Sequence, residues 1–206
     1  MFNRKGAEID RSSEPFDITA TAADKIFVLG IGGGNDVVGA YAIAKLLRNS
    51  GKDVLYGSCL SKKKPNFIGF KEEAEGLYLY DPNEKQENEH HSLRVIQRLR
   101  KHDTELPPPY VLIADDGRTE RITDAALTRF KGYTIITIDN GGDSITGGNE
   151  GEKGFDRRNV DALKEKGIQF IHIILGLGCD GESDEEMISK MFAEQTESIL
   201  GVFEMD

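Results

Sequence analysis

Apolar residues in this chain fall into two alternating patterns: short dense runs, and longer stretches in which they recur every three or four positions. The run KIFVLG, ending at Gly30, is followed by DVVGAYAIAKLLRNSG and then by KDVLYGS, an order that predicts strand, helix, strand. Gly51 stands where a helix-ending glycine is expected. GLYLYDP reads as a strand closed by Pro82, SLRVIQRLRKH as a helix with Leu93, Ile96 and Leu99 in a narrow stripe, and PPPYVLIADDG as a break, a buried-type strand and an acidic turn. The rhythm then repeats. TDAALTRF precedes the strand YTIITID, FDRRNVDALKEKG precedes the strand IQFIHIILG, and DEEMISKMFAEQTESIL closes the chain as a helix.

Strands rich in β-branched residues with helices between them predict a parallel sheet covered on both faces, joined by right-handed crossovers. The expected fold is α/β: a doubly wound, mostly parallel sheet of about five or six strands in a Rossmann-like three-layer sandwich. Residues 24–206 read as one domain of this kind. Residues 1–23, polar and mixed in charge, read as a loosely ordered N-terminal arm.

Charge narrows the partners. Across 206 residues, 26 Lys and Arg stand against 36 Asp and Glu, a net charge of −10, which argues against nucleic acid and against an anionic membrane surface. A cationic or metal-bridged small ligand fits better. The two cysteines, Cys59 and Cys179, lie far apart with no CxxC or Cys/His spacing, so neither a disulfide framework nor a zinc site is indicated. No apolar run reaches the ~18–20 residues of a membrane span, and MFNRKGAEIDRSSEPFD lacks the apolar core of a signal peptide. The expectation is a soluble cytoplasmic protein, with homo-oligomer formation left open.

Candidate chemistry sits where the predicted strands end, because ligands of open parallel sheets bind beyond the carboxyl ends of the strands. The first strand ends in Gly30, Gly32, Gly33, Gly34, Asn35 and Asp36; another in Asp115, Asp116 and Gly117; the next in Asp139, Asn140, Gly141, Gly142, Asp143 and Ser144; the last in Gly176, Gly178, Cys179, Asp180, Gly181 and Glu182. A strand–glycine–helix junction presents backbone N–H groups and the positive end of a helix dipole, which favours a phosphate or carboxylate. The dinucleotide pattern G-x-G-x-x-G is only partly met, since Asn35 stands at the third glycine, and the second strand ends in Gly57 and Ser58 without an acid for a ribose. NAD binding of the conventional kind is therefore not expected, and no P-loop pattern occurs. The plainer account of the glycines is a tight turn with close helix packing.

Several carboxylates brought to one crevice would repel each other unless they share a cation or a proton. Mg²⁺ held by Asp143, Asp180 and Glu182 is one expectation; proton transfer by Asp143 and Asp180 is the other. For any one of these acids, Asp36 and Asp139 included, capping a helix or closing a turn is the plainer role. Cys179 is expected as a small buried residue, His172 as a strand residue, and His90 and His91 as a solvated pair. Arg157 and Arg158 are placed to clamp an anion or to line a solvated helix face.

GIGGGNDVVGAYAIAKLLRNSGKDVLYGS, IDNGGDS and GLGCDGE, in that order, resemble the successive motifs of the uncharacterised bacterial and archaeal family known as domain of unknown function 1152, over roughly Lys25 to Met191. Here Asn140 separates Asp139 from the glycine pair, and the family generally extends further at the C-terminus. By weaker similarity, the glycine-rich α/β layout looks like that of D-glutamate cyclase-type lyases. The resemblance implies a site at Gly32, Gly33, Gly34, Asp36, Gly141, Gly142, Asp143, Asp180, Gly181 and Glu182. Together with Asn35 and Ser144, the glycines and Asp36 would hold an anionic small molecule. The functional expectation is a small-molecule enzyme, a metal-assisted transferase or hydrolase or else a lyase or cyclase; the alternative is a non-catalytic ligand-binding, sensory or partner-binding module.

Overall fold

A computed structural model describes residues 17–21, 23–61, 67–83, 85–115, 122, 124–149 and 154–195. The expected N-terminal arm lies mostly outside these residues, as do Asp116 and Gly117. The strands are β1 (Lys25–Gly30), β2 (Asp53–Ser61), β3 (Phe70–Ala74), β4 (Leu77–Tyr80), β5 (Tyr110–Asp115), β6 (Thr134–Asn140) and β7 (Phe170–Leu175). The helices are α1 (Ile18–Thr21), α2 (Asp36–Asn49), α3 (His91–His102), α4 (Asp124–Thr128), α5 (Asp143–Thr146), α6 (Phe155–Glu165) and α7 (Glu185–Gln195). The strands form one sheet in the order β3-β4-β5-β2-β1-β6-β7.

The seventh strand, beyond the expected five or six, is β3, FKEEA. Its Lys71, Glu72 and Glu73 are exposed, so it carries no buried apolar run to announce it; such charges suit the edge of a sheet. β4 pairs antiparallel with β3 and with β5, while β1, β2, β5, β6 and β7 run parallel. Among the parallel strands, the chain starts at the centre with β1, moves outward through β2 to β5, then returns to β6 on the other flank of β1 and continues to β7. That reversal sets β1 beside β6 at a topological switch point, with their successor helices on opposite faces.

Side-chain alternation along β1 divides the core. Phe27 and Leu29 pack with Leu112 of β5, Ala126 of α4, Val160 and Leu163 of α6, and with Phe130; Ile26 and Val28 face the other way, onto Ala40, Ala44 and Leu47 of α2. A third cluster seats Leu93 and Ile96 of α3 on Val111 and Ile113 of β5. Of the stripe read in α3, Leu93 and Ile96 thus face the sheet, while Leu99 is half-buried and outside this cluster. Gly39 lets α2 approach closely, since a Cβ there would meet Ile138 at 2.8 Å and Leu175 at 3.1 Å. Among the described residues, no helix is long and apolar enough to cross a membrane.

Phe27, fully buried, stacks on Phe130 at 3.6 Å between ring centroids and meets Tyr110 edge-on. Phe27→Ala should therefore destabilise the fold by about 3–5 kcal/mol in chemical denaturation, through lost burial and the cavity it leaves.

Candidate functional site

The switch point fixes the site. Gly30 of β1 pairs in register with Ile138 of β6, so the loop into α2 and the loop into α5 leave the sheet side by side. Asp36 opens α2, Asp139 lies one residue from the end of β6, and Asp156 is the second residue of α6. One carboxylate oxygen from each of these three lies within 4.8 Å of the other two.

Asp36 Oδ2 accepts the N–H of Gly32 at 2.8 Å and Oδ1 accepts the N–H of Asn140 at 2.9 Å, so one buried side chain ties the β1 loop to β6. Asn140 Nδ2 reinforces the tie by donating to the carbonyl of Asn35 at 2.6 Å. Asp139 Oδ1 accepts the N–H of Gly142 at 3.0 Å, and Oδ2 accepts both the N–H of Ser144 at 3.1 Å and its hydroxyl. Asp156 shares a hydrogen bond with Asp36 and rests its carboxyl on Gly32, in the volume a Cβ would fill. Any side chain at Gly32 would displace it.

Burial raises the pKa of Asp36 to about 7, with the charge of Asp139 acting in the same direction. Burial raises Asp156 further, to about 10, and the charges of Asp36, Asp143 and Asp139 add to the effect. Asp143, half-buried, is raised to about 7 by burial and by Asp139, Glu182 and Asp180. Among the described residues, no Lys or Arg makes an ion pair with these acids. Such a site is poised to take up protons or a cation.

The three motif loops meet in one crevice. Gly178 N–H donates to the carbonyl of Gly141 at 2.6 Å, and the carboxyl of Asp180 lies against Gly141, whose φ of 123° belongs to glycine. Glu182 approaches Gly148 beside Asp143. Asp180, Gly181 and Glu182 are exposed and form the rim, whereas Ser144, Gly141 and Gly142 are buried beneath it. The triad is thus Asp36 and Asp139, both buried, with half-buried Asp156, and differs from the set Asp143, Asp180 and Glu182 chosen from sequence.

The glycines after β1 have separate reasons. A Cβ at Gly30 would strike the backbone of Asp36 at 2.7 Å, Gly32 makes room for Asp156, and Gly34 has a φ of 65°. Gly34 N–H donates to Ser92 Oγ of α3 at 2.9 Å. With Gly32 N–H given to Asp36, two amides of this loop already serve the protein's own oxygens.

Sequence reasoning did not select Asp156 or Ser92. Asp156 carries the ordinary signature of an acid in a first helical turn, and its weight comes only from the register of α6 over the β1 loop. Cys179, expected to be buried, is exposed: the turn after β7 swings it outward between Gly176 and Gly178, both at positive φ. His172 lies in β7 as expected. His91 is exposed, but His90 is half-buried at the start of α3. The Arg157 guanidinium binds Asp161 at 3.1 Å and the carbonyl of Ile145 at 2.7 Å, bracing α6 against α5. Comparison of the chain with models of protein families, with curated proteins and with solved structures finds no match.

An unfolded aspartate titrates near 3.9, roughly three and six pH units below folded Asp36 and Asp156. Between those limits the folded state binds more protons than the unfolded state, so stability from this pair is greatest in acid and falls as pH rises from about 4 toward about 10. In chelator-treated protein, Asp156→Asn should raise the Tm by roughly 2–6 °C at about pH 8, and the gain should vanish near pH 4 in scanning calorimetry.

Proposed function

We propose that this protein is a small-molecule enzyme that holds a divalent cation of the Mg²⁺ or Mn²⁺ type at Asp36, Asp139 and Asp156 and uses it to engage a phosphate- or carboxylate-bearing substrate. The observation that carries this reading is the convergence of those three carboxylates at the β1/β6 switch point. An all-oxygen donor set suits a hard cation better than zinc, which prefers nitrogen and sulfur. A bound cation would offset the repulsion among the three acids and attract an anionic substrate to a chain of net charge −10.

Asp143, beside the triad with its pKa near 7, suits the role of general acid or base, because proton transfer is most efficient when the group titrates near the working pH. Asp180 and Glu182 at the rim suit contacts with the solvated end of the ligand or with an outer cation. The glycine loops contribute close backbone approach more than a bare anion cradle. The reaction this supports is a metal-assisted transfer or hydrolysis at a phosphate-bearing molecule, or a lyase or cyclase step on a small carboxylate. The motif order supports kinship with the domain of unknown function 1152, and the absence of paired cysteine spacing supports a reducing, cytoplasmic setting.

A second reading has a specific observation behind it. The hydrogen bond between Asp36 and Asp156, whose pKa values are pushed apart, is the arrangement of an acid/base pair acting without metal.

Chelator-treated protein titrated with Mg²⁺, Mn²⁺ or Ca²⁺ at about pH 8 should gain stability, about 2.7 kcal/mol at a hundredfold excess of cation over Kd. The gain should be smaller at about pH 6, where protons compete for the same oxygens, and lost in Asp156→Asn. Absence of any shift or calorimetric heat in the wild type with all three cations would discard the metal reading and leave the acid/base pair. A cation bound without turnover in product assays would favour the binding-module alternative.

A further inference from the structure

Behind Asp139 lies a chain of side chains, Thr137 and Ser144 buried and His172 half-buried, that the cation site does not use. Thr137 of β6 is fully buried, and its Oγ1 stands 2.7 Å from His172 Nδ1 on the neighbouring strand β7. The other ring nitrogen, His172 Nε2, stands 2.8 Å from Ser144 Oγ, which is fully buried and hydrogen-bonded to Asp139 Oδ2. Thr137 and His172 are cross-strand partners in the β6–β7 register, so the sheet itself sets this spacing.

Proton counting gives the chain a direction. A cation-binding Asp139 is a carboxylate, whose oxygen only accepts, so the single hydroxyl hydrogen of Ser144 goes to Asp139 Oδ2. Ser144 Oγ must then accept from His172, which places the imidazole proton on Nε2. Nδ1 is left as an acceptor, and Thr137 gives its hydroxyl hydrogen to it at 2.7 Å in preference to the Ile171 carbonyl at 3.5 Å. Three hydrogen bonds, two partly buried and the last fully buried, run one way, from Thr137 through His172 and Ser144 to the carboxylate. A neutral ring agrees with burial lowering the pKa of His172 to about 4.

We propose that Thr137, His172 and Ser144 form a positioning relay that holds Asp139 Oδ2 in the orientation the cation site requires, with His172 as a neutral Nε2–H imidazole. This inference rests on the cation reading of the triad. His172 touches no ligand in it and acts only through Ser144, as outer partners do when they orient metal-binding carboxylates.

The test combines Mn²⁺ affinity, measured by calorimetry and by electron paramagnetic resonance, with the ¹⁵N NMR signature of the His172 tautomer. His172→Leu should weaken Mn²⁺ binding about 10–100-fold. His172→Gln, which can still donate from a nitrogen near the Nε2 position, should restore most of it. Thr137→Val keeps the shape of the side chain and provides a folded alternative should His172→Leu not fold; it should weaken binding several-fold and release the tautomer preference. An Nδ1–H tautomer in the wild type would overturn the relay whatever the cation does. Wild-type binding unchanged in both His172→Leu and Thr137→Val would overturn it while leaving the triad reading intact. No Mn²⁺ binding by the wild type, with the Nε2–H tautomer present, would overturn the triad reading and remove the relay's role in cation binding.

Discussion

Everything about this site depends on the cost of keeping three carboxyl groups, two buried and one half-buried, with oxygens within 4.8 Å of each other. Two of them are stabilised by geometry: Asp36 by amides from the β1 loop and the end of β6, Asp139 by the start of α5. Asp156 has no such cradle among the described residues and approaches Asp36 across a bare Gly32. Desolvation and mutual repulsion therefore concentrate on Asp156, whose carboxyl holds its proton far into the alkaline range. An arrangement this unfavourable for bare charge is one that a cation, or a shared proton, relieves.

The sheet supplies the rigidity that such crowding needs. β1 and β6 are central strands, paired on both sides, and the loops at their ends are cross-tied by Asp36, Asn140 and the Gly178–Gly141 bond. The carboxylates cannot easily move apart to reduce their repulsion. The same rigidity carries the Thr137–His172 contact, which links the site to β7 without any loop between.

The glycine-rich stretch illustrates how one composition serves several physical demands. At Gly34 the demand is a left-handed backbone; at Gly30 it is clearance for the backbone of α2; at Gly32 it is volume for an incoming acid. A cluster of glycines that looks like an empty cradle is here largely filled by the protein's own side chains, with Ser92 of α3 reaching in to take the Gly34 amide.

The alternation of β-branched runs with helical spacing determined the layers, the parallel pairing of five strands and the helix faces, because burying an apolar stripe against a sheet leaves few arrangements. It did not reveal β3, whose polar edge strand is held by pairing to β4 and leaves no apolar trace. For the site, Asp36, Asp139 and Asp143 were legible as acids at strand ends, whereas the meeting of the three motif loops depended on a strand order that only the structure supplies. Asp156 was not legible, since only the packing of α6 over the β1 loop separates it from any acid in a first helical turn. Nor was the direction of the Thr137–His172–Ser144 chain, which depends on strand register. Local sequence sets which face of each element is apolar. The tertiary structure alone decides which polar atoms from distant elements come within hydrogen-bond reach.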